Sequence, residues 1–216
     1  MPDLSFQIEE ANMVPYAMAP TLSFRLKIAN AVPSEKIHTV ALRCQIQIDV
    51  GRRRYTSEEQ QKLVDLFGTP DRWSQTLRTL LWTNTSLVVP SFTGATTVAD
   101  LQLPCTFDFN VAATKYFDGL QDGDIPLNFL FSGTVFYALP ESDLQVAPIS
   151  WEREARFRLP LKVWRAMMDF YYPSSVWINL RRDVFDRLYQ HKMERGLPTW
   201  EQALEEILDA DSAVKQ

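Results

Sequence analysis

The chain has 216 residues, 46% of them hydrophobic and 12% aromatic, with a net charge of −5. That is enough apolar mass for one large domain, or a domain plus an appendage, and the acidic balance argues against a nucleic-acid partner, which needs a basic face. No apolar run approaches the roughly 20 residues that cross a bilayer, and the opening Met-Pro-Asp-Leu has no basic and apolar leader pattern, so a cytoplasmic protein without membrane insertion is expected.

Leu4, Phe6 and Ile8 make a short first strand. Residues 21–30 then alternate Leu22, Phe24, Leu26 and Ile28 against Ser23, Arg25 and Lys27. After a turn at Val32-Pro33-Ser34-Glu35 the alternation resumes over 37–50, with Val40, Leu42, Cys44, Ile46, Ile48 and Val50 on the apolar parity. Period-two patterning of this length buries one face and wets the other. Arg52, Arg53 and Arg54 come next as one basic run.

Ser57 reads as a helix N-cap with Glu58 and Glu59 in the first turn, where the helix dipole favours acids. This helix carries Leu63, Val64, Leu66 and Phe67 and stops at Gly68. Thr69 caps a second helix with Pro70 at its first position. Trp73, Leu77, Leu80 and Leu81 keep helical spacing, which predicts helix to about residue 82. A strand is expected over 83–92, and another in which Leu101, Leu103, Cys105, Phe107 and Phe109 alternate. Asn110 caps a short helix with Tyr116, Phe117 and Leu120 inside, and Asp122-Gly123-Asp124 is a turn.

Residues 127–139 are apolar on both parities, which predicts a central strand covered on both faces. Gly133 within it marks a bulge or a close backbone approach. A turn over 140–143 leads to strands at 144–148 and 151–159, the second with Trp151, Ala155, Phe157 and Leu159 on one parity. After Pro160 the pattern is helical: Val163, Trp164, Met167 and Met168, closed by Phe170-Tyr171-Tyr172-Pro173. An extended Val176–Leu180 precedes a helix capped by Asp183. Gly196 and Pro198 end that helix, and Thr199-Trp200-Glu201-Gln202 opens the last one as a capping box.

The expected architecture is mainly β (α+β): an antiparallel β-sandwich, immunoglobulin-like or C2-like, with inserted helices near 57–82 and a C-terminal helical appendage. The sandwich is assigned to 1–159, the appendage packed on it to 160–209, and a disordered tail to 210–216.

Catalytic constellations are not evident. The two histidines, His38 and His191, lie in no nucleophile motif, and no phosphate-binding glycine loop occurs. Cys44 and Cys105 are expected as buried reduced thiols; two cysteines without neighbouring ligands make no zinc site. Asp118, Asp122 and Asp124 form the best acidic cluster. The expectation is no enzyme, no cofactor and no metal. Interaction residues are expected at Arg52, Arg53 and Arg54, and at the aromatic Tyr171, Tyr172, Trp177 and Trp200, since exposed arginines and aromatics anchor protein interfaces. The order strand, helix, Gly-Leu-Pro-Thr, helix over 176–208 also resembles a ribbon-helix-helix DNA-binding unit, with Trp177, Asn179 and Arg181 facing the bases. Against that, residues 160–209 hold seven Lys/Arg and eight Asp/Glu, so they have no basic excess.

Six segments together carry a family resemblance: Phe67-Gly-Thr-Pro-Asp-Arg-Trp73 with Leu80-Leu-Trp-Thr83, Val89-Pro-Ser-Phe-Thr-Gly94, Phe131-Ser-Gly-Thr-Val-Phe136, Leu159-Pro-Leu-Lys-Val-Trp164 and Leu197-Pro-Thr-Trp200. They resemble an uncharacterised bacterial family of about 200 residues found in [NiFe]-hydrogenase gene clusters. The resemblance implies an accessory role in hydrogenase assembly or maturation, with a hydrogenase subunit as protein partner, and it supplies no catalytic residues. The expected function is therefore a non-enzymatic protein-interaction protein, with a homodimer compatible with it. DNA binding through the tail, a SecB-like chaperone and a small-molecule carrier are the alternatives.

Overall fold

The computed structural model describes residues 2–138 and 143–214. Eight strands form two antiparallel sheets among these residues. The first sheet has the order β1-β2-β5, from Leu4–Met13, Thr21–Asn30 and Thr96–Pro104. The second has the order β4-β3-β6-β7, from Leu80–Val89, Lys36–Ile48, Asp124–Ala138 and Leu144–Ile149, and β8 (Glu154–Pro160) also pairs with β6. The 15-residue β6 is long enough to hold both edge partners, β7 along 133–138 and β8 along 124–130. This is the expected antiparallel sandwich, with three strands in one sheet and five in the other.

The alternating parity of 21–30 and 37–48 is the core. Leu22, Phe24, Leu26, Ile28, Val40, Leu42, Cys44, Ile46 and Ile48 are all buried. Phe24 lies 5.2 Å edge-on to Phe129 of the opposite sheet, and Phe6 stacks on Phe131 at 4.5 Å. Each such ring contributes about 1.5–3 kcal/mol through its removal from water. The segment 31–35 does not close a hairpin, however. It carries the chain from the first sheet to the second, since β2 pairs with β1 and β5 while β3 pairs with β4 and β6.

Four further readings are corrected. Helix in the insertion ends at Thr76, as α1 (Ser57–Lys62), α2 (Val64–Phe67), a 3₁₀ turn at Pro70–Arg72 and α3 (Trp73–Thr76). Leu80 and Leu81 begin β4, because β3 needs backbone partners as far as Ile48, which faces Leu80. The strand expected through Phe109 stops at Pro104, and β6 buries one parity only, its other face being half-exposed. Trp151 is in a turn and 83% exposed, so the parity of β8 does not extend back to it. The turn expected over 140–143 lies, except for Asp143, outside the described residues.

α4 (Val111–Gly119) is capped by Asn110, whose side-chain oxygen accepts the Ala113 amide at 3.0 Å. It sets Phe117 between Trp82 and Trp164, each 5.2 Å away, which closes the core under α5 (Leu161–Tyr171). The chain divides into two compact units, residues 1–175 and 176–216. α5 therefore belongs with the sandwich, and the second unit begins 16 residues later than the position 160 read from sequence. That unit holds α6 (Arg182–Glu194) and α7 (Trp200–Val214). Within the expected tail 210–216, α7 continues to Val214, and residues 215–216 lie outside the described residues.

Candidate interaction surfaces

The three arginines that end β3 do not act together. Arg53 follows a 3₁₀ turn, Val50–Arg52, and has extended backbone, φ −119° and ψ 147°. It turns inward. Its guanidinium donates to the buried Glu59 carboxylate at 2.6 Å, to the Asp124 carbonyl at 2.9 Å and to the Asp122 carbonyl. Arg52 pairs with Asp49 at 2.8 Å on the surface, and Arg54 is exposed.

Glu59 is the centre of this knot. It also accepts the amides of Thr56 at 3.0 Å and Gln121 at 2.8 Å. Thr56, not Ser57, is thus the N-cap of α1, with both halves of its capping box formed. Burial alone would raise the Glu59 carboxyl, but the two amides and the Arg53 guanidinium outweigh it and hold the group below the usual glutamate value. Next to it the Tyr116 hydroxyl meets that of Tyr55 at 2.9 Å, and Tyr55 donates to the Val50 carbonyl at 2.7 Å. Burial raises both phenols, Tyr116 to about 12. These groups hold structure.

Tyr171 and Tyr172 are also used internally. The Tyr171 hydroxyl accepts the Ala17 amide and donates to the Val14 carbonyl, both at 2.7 Å, tying α5 to the β1–β2 loop. Tyr172 lies against Phe107 at 4.8 Å. Of the six tryptophans, Trp73, Trp82 and Trp164 are buried, Trp151 is exposed beside the polar outer face of the second sheet, and Trp177 and Trp200 belong to the C-terminal unit. Among the described residues no group of three or more His, Cys, Asp and Glu is placed to hold a metal ion. No helix among them is long and apolar enough to cross a membrane.

The C-terminal unit is different in kind. Trp200 packs on Phe185 at 5.4 Å and Tyr189 at 6.1 Å, Lys192 lies 5.6 Å over its ring, and Arg195 pairs with Glu206 at 3.1 Å. These contacts clasp α6 to α7. Half of the expected capping box forms, the Gln202 amide donating to the Thr199 hydroxyl at 3.2 Å. Yet among the described residues of this unit only Ala203 is buried. Val176, Ile178, Leu180, Phe185, Met193, Ile207 and Leu208 are exposed. A groove of about 620 Å³ is lined by Val176, Ile178, Leu180, Phe185, Leu188, Trp200 and Leu204, with Arg182 and Glu201 as its charged groups. Val176–Leu180, expected as an extended segment, lies outside helix and strand and pairs with no strand among the described residues.

A model of one protein family matches residues 1–216. The chain belongs to the family of unknown function DUF6084. No curated protein matches it. Among solved structures it is similar to one described as a late embryogenesis abundant (LEA) protein, at 14% identity and TM-score 0.34 over 74% of this chain and 73% of that one. It is also similar to one described as ApaA from Bordetella pertussis, at 12% identity and TM-score 0.30 over 73% and 93%. At such values neither bears on what the DUF6084 chain does.

Proposed function

We propose that this DUF6084 protein is a non-enzymatic accessory protein that works by associating with other polypeptides, and that its C-terminal unit is the point of association. The observation that carries this reading is the apolar groove of residues 176–204 in a unit where, among the described residues, only Ala203 is buried. A unit of about 40 residues seldom stabilises itself without a cross-link, a metal or a partner. Contiguous apolar surface of this kind marks interfaces. Trp177 and Trp200 keep the interaction role read for them, whereas Arg53, Tyr171 and Tyr172 serve the fold.

The resemblance to a family from [NiFe]-hydrogenase gene clusters supports a narrower reading, in which the assembly served is that of a hydrogenase. The test is affinity purification of the tagged chain from its native cell beside a Leu204→Asp variant, with mass spectrometry of the proteins retained by each. A hydrogenase subunit held by the wild type and lost by the variant supports the narrower reading. Identical sets of proteins on both columns overturn the role given to the C-terminal unit.

A further inference from the structure

The geometry points to a second copy of this chain as the polypeptide that completes the groove, through an isologous contact about a two-fold axis. The inference rests on the reading of the C-terminal unit as the point of association, and it names the partner.

Three observations on that unit select a second copy. The first is the segment Val176–Leu180. Its apolar parity, Val176, Ile178 and Leu180, lines the groove, while Trp177 and Asn179 fall on the other parity. It is exposed and outside helix and strand, with no strand paired to it among the described residues. An exposed segment of alternating pattern that belongs to no sheet is a template for pairing. Run antiparallel to itself about a two-fold at Ile178, it sets Val176 opposite Leu180 of the other copy. All three apolar side chains then share one face, as a half-buried ribbon requires.

The second is size. A helical hairpin that buries only Ala203 among its described residues has little core of its own. Two such hairpins supply four helices, and four amphipathic helices enclose a core. Phe185 and Leu188 from α6, with Trp200 and Leu204 from α7, are the groups such a core would take.

The third is charge. α6 and its two flanking residues carry Arg181, Arg182, Arg187, Lys192 and Arg195 against Asp183, Asp186 and Glu194. α7 carries Glu201, Glu205, Glu206 and Asp209 with no cation between Trp200 and Ala210. One helix is basic on balance and the other acidic. A two-fold contact that lays α6 on α7 of the other copy is therefore self-complementary, and Arg182 and Glu201, the charged groups of the groove, become cross-chain partners.

The two-fold makes a decisive experiment available. Sedimentation equilibrium of the full chain at tens of micromolar should give twice the 24.9 kDa chain mass, with a concentration-dependent approach to it. Arg182→Glu makes both charged contacts of the dimer negative, and Glu201→Arg makes both positive. Each variant alone should dissociate about tenfold or more readily, while an equimolar mixture of the two restores an opposite-charge pairing and the wild-type affinity. Ile178→Pro, which removes the central donor of the ribbon, should leave a monomer with wild-type helical circular dichroism. A wild-type monomer at these concentrations overturns the proposal, as does docking of the groove within one chain, which shows as concentration-independent protection of the 176–180 amides from hydrogen exchange. A dimer that neither variant weakens, or a mixture that fails to recover it, overturns the two-fold contact. Loss of the dimer would not touch the capture of a different protein by the tagged chain, so the two readings fail separately.

Discussion

Arg53 and Glu59 lie six residues apart and meet in a buried ion pair, Nη2 to Oε1, of 2.6 Å. The pair joins the end of β3 to the start of α1 and to the turn that begins β6, because Arg53 also holds the carbonyls of Asp122 and Asp124 and Glu59 also holds the Gln121 amide. Removing one member strands the other without its counter-charge. Glu59→Gln should cost about 3–5 kcal/mol, read from the urea midpoint of the full chain.

The same carboxylate gives an acid dependence. Its folded pKa lies below the ordinary glutamate value of 4.5. The unfolded chain therefore binds the proton first as pH falls, so the stabilisation is fully present above about 4.5 and is lost as pH drops through the lower folded value. Urea midpoints between pH 5 and pH 3 should fall more steeply in the wild type than in Glu59→Gln. Parallel curves would remove Glu59 from the acid response.

Gly133 sits opposite Leu42 in the β3–β6 ladder with φ 143°, and a Cβ there would stand 2.1 Å from the Ala41 carbonyl oxygen. Strand backbone cannot withdraw as a side chain can. Gly133→Ala should cost about 3 kcal/mol or more, from strain at positive φ plus displacement of the ladder. Gly196→Ala, at φ 63° with no atom within 4 Å of the added Cβ, should cost only about 1 kcal/mol. Thermal melts of the two variants check the ordering.

How much the sequence reveals depends on which rule faces competition. The parity of Leu22 to Ile28 and Val40 to Ile48 has no rival, and Gly133 is legible because glycine inside so apolar a strand marks a bulge or a close approach, of which the structure shows the close approach. Trp73, Leu77, Leu80 and Leu81 satisfy the helical period equally well, and what decides against helix is the distant demand of β3 for partners near Ile48. Thr56 and Glu59 spell a capping box, but the adjacent Ser57 and Glu58 blur its phase until Glu59 is seen to reach the Thr56 amide. Arg53 is indistinguishable from Arg52 and Arg54 as letters, and the extended backbone separates them. The groove is the least legible feature. Val184, Phe185, Leu188, Leu204 and Ile207 keep the spacing of buried helix faces, and spacing cannot say that they stay only partly covered or exposed.

Cys44 and Cys105 are buried free thiols, and burial pushes each up to about 12. The thiolate is the reactive form. At pH 8 both should resist an aromatic disulfide reagent in the native protein, and two thiols per chain should react in urea. Fast reaction of either in buffer would place it at the surface.

Trp200 joins α7 to α6, packing on Phe185 and Tyr189 and lying under the Lys192 ammonium. Deleting the indole leaves the Arg195–Glu206 pair, which is mostly solvated and so worth at most about 1 kcal/mol. A short helix pair has little else to offset its backbone entropy. Trp200→Ala should therefore release the α6 and α7 amides to hydrogen exchange, whereas Trp200→Phe, which keeps an aromatic face against Phe185, should retain most of the protection. Equal protection in the alanine variant and the wild type would mean that the two helices hold together without the aromatic clasp.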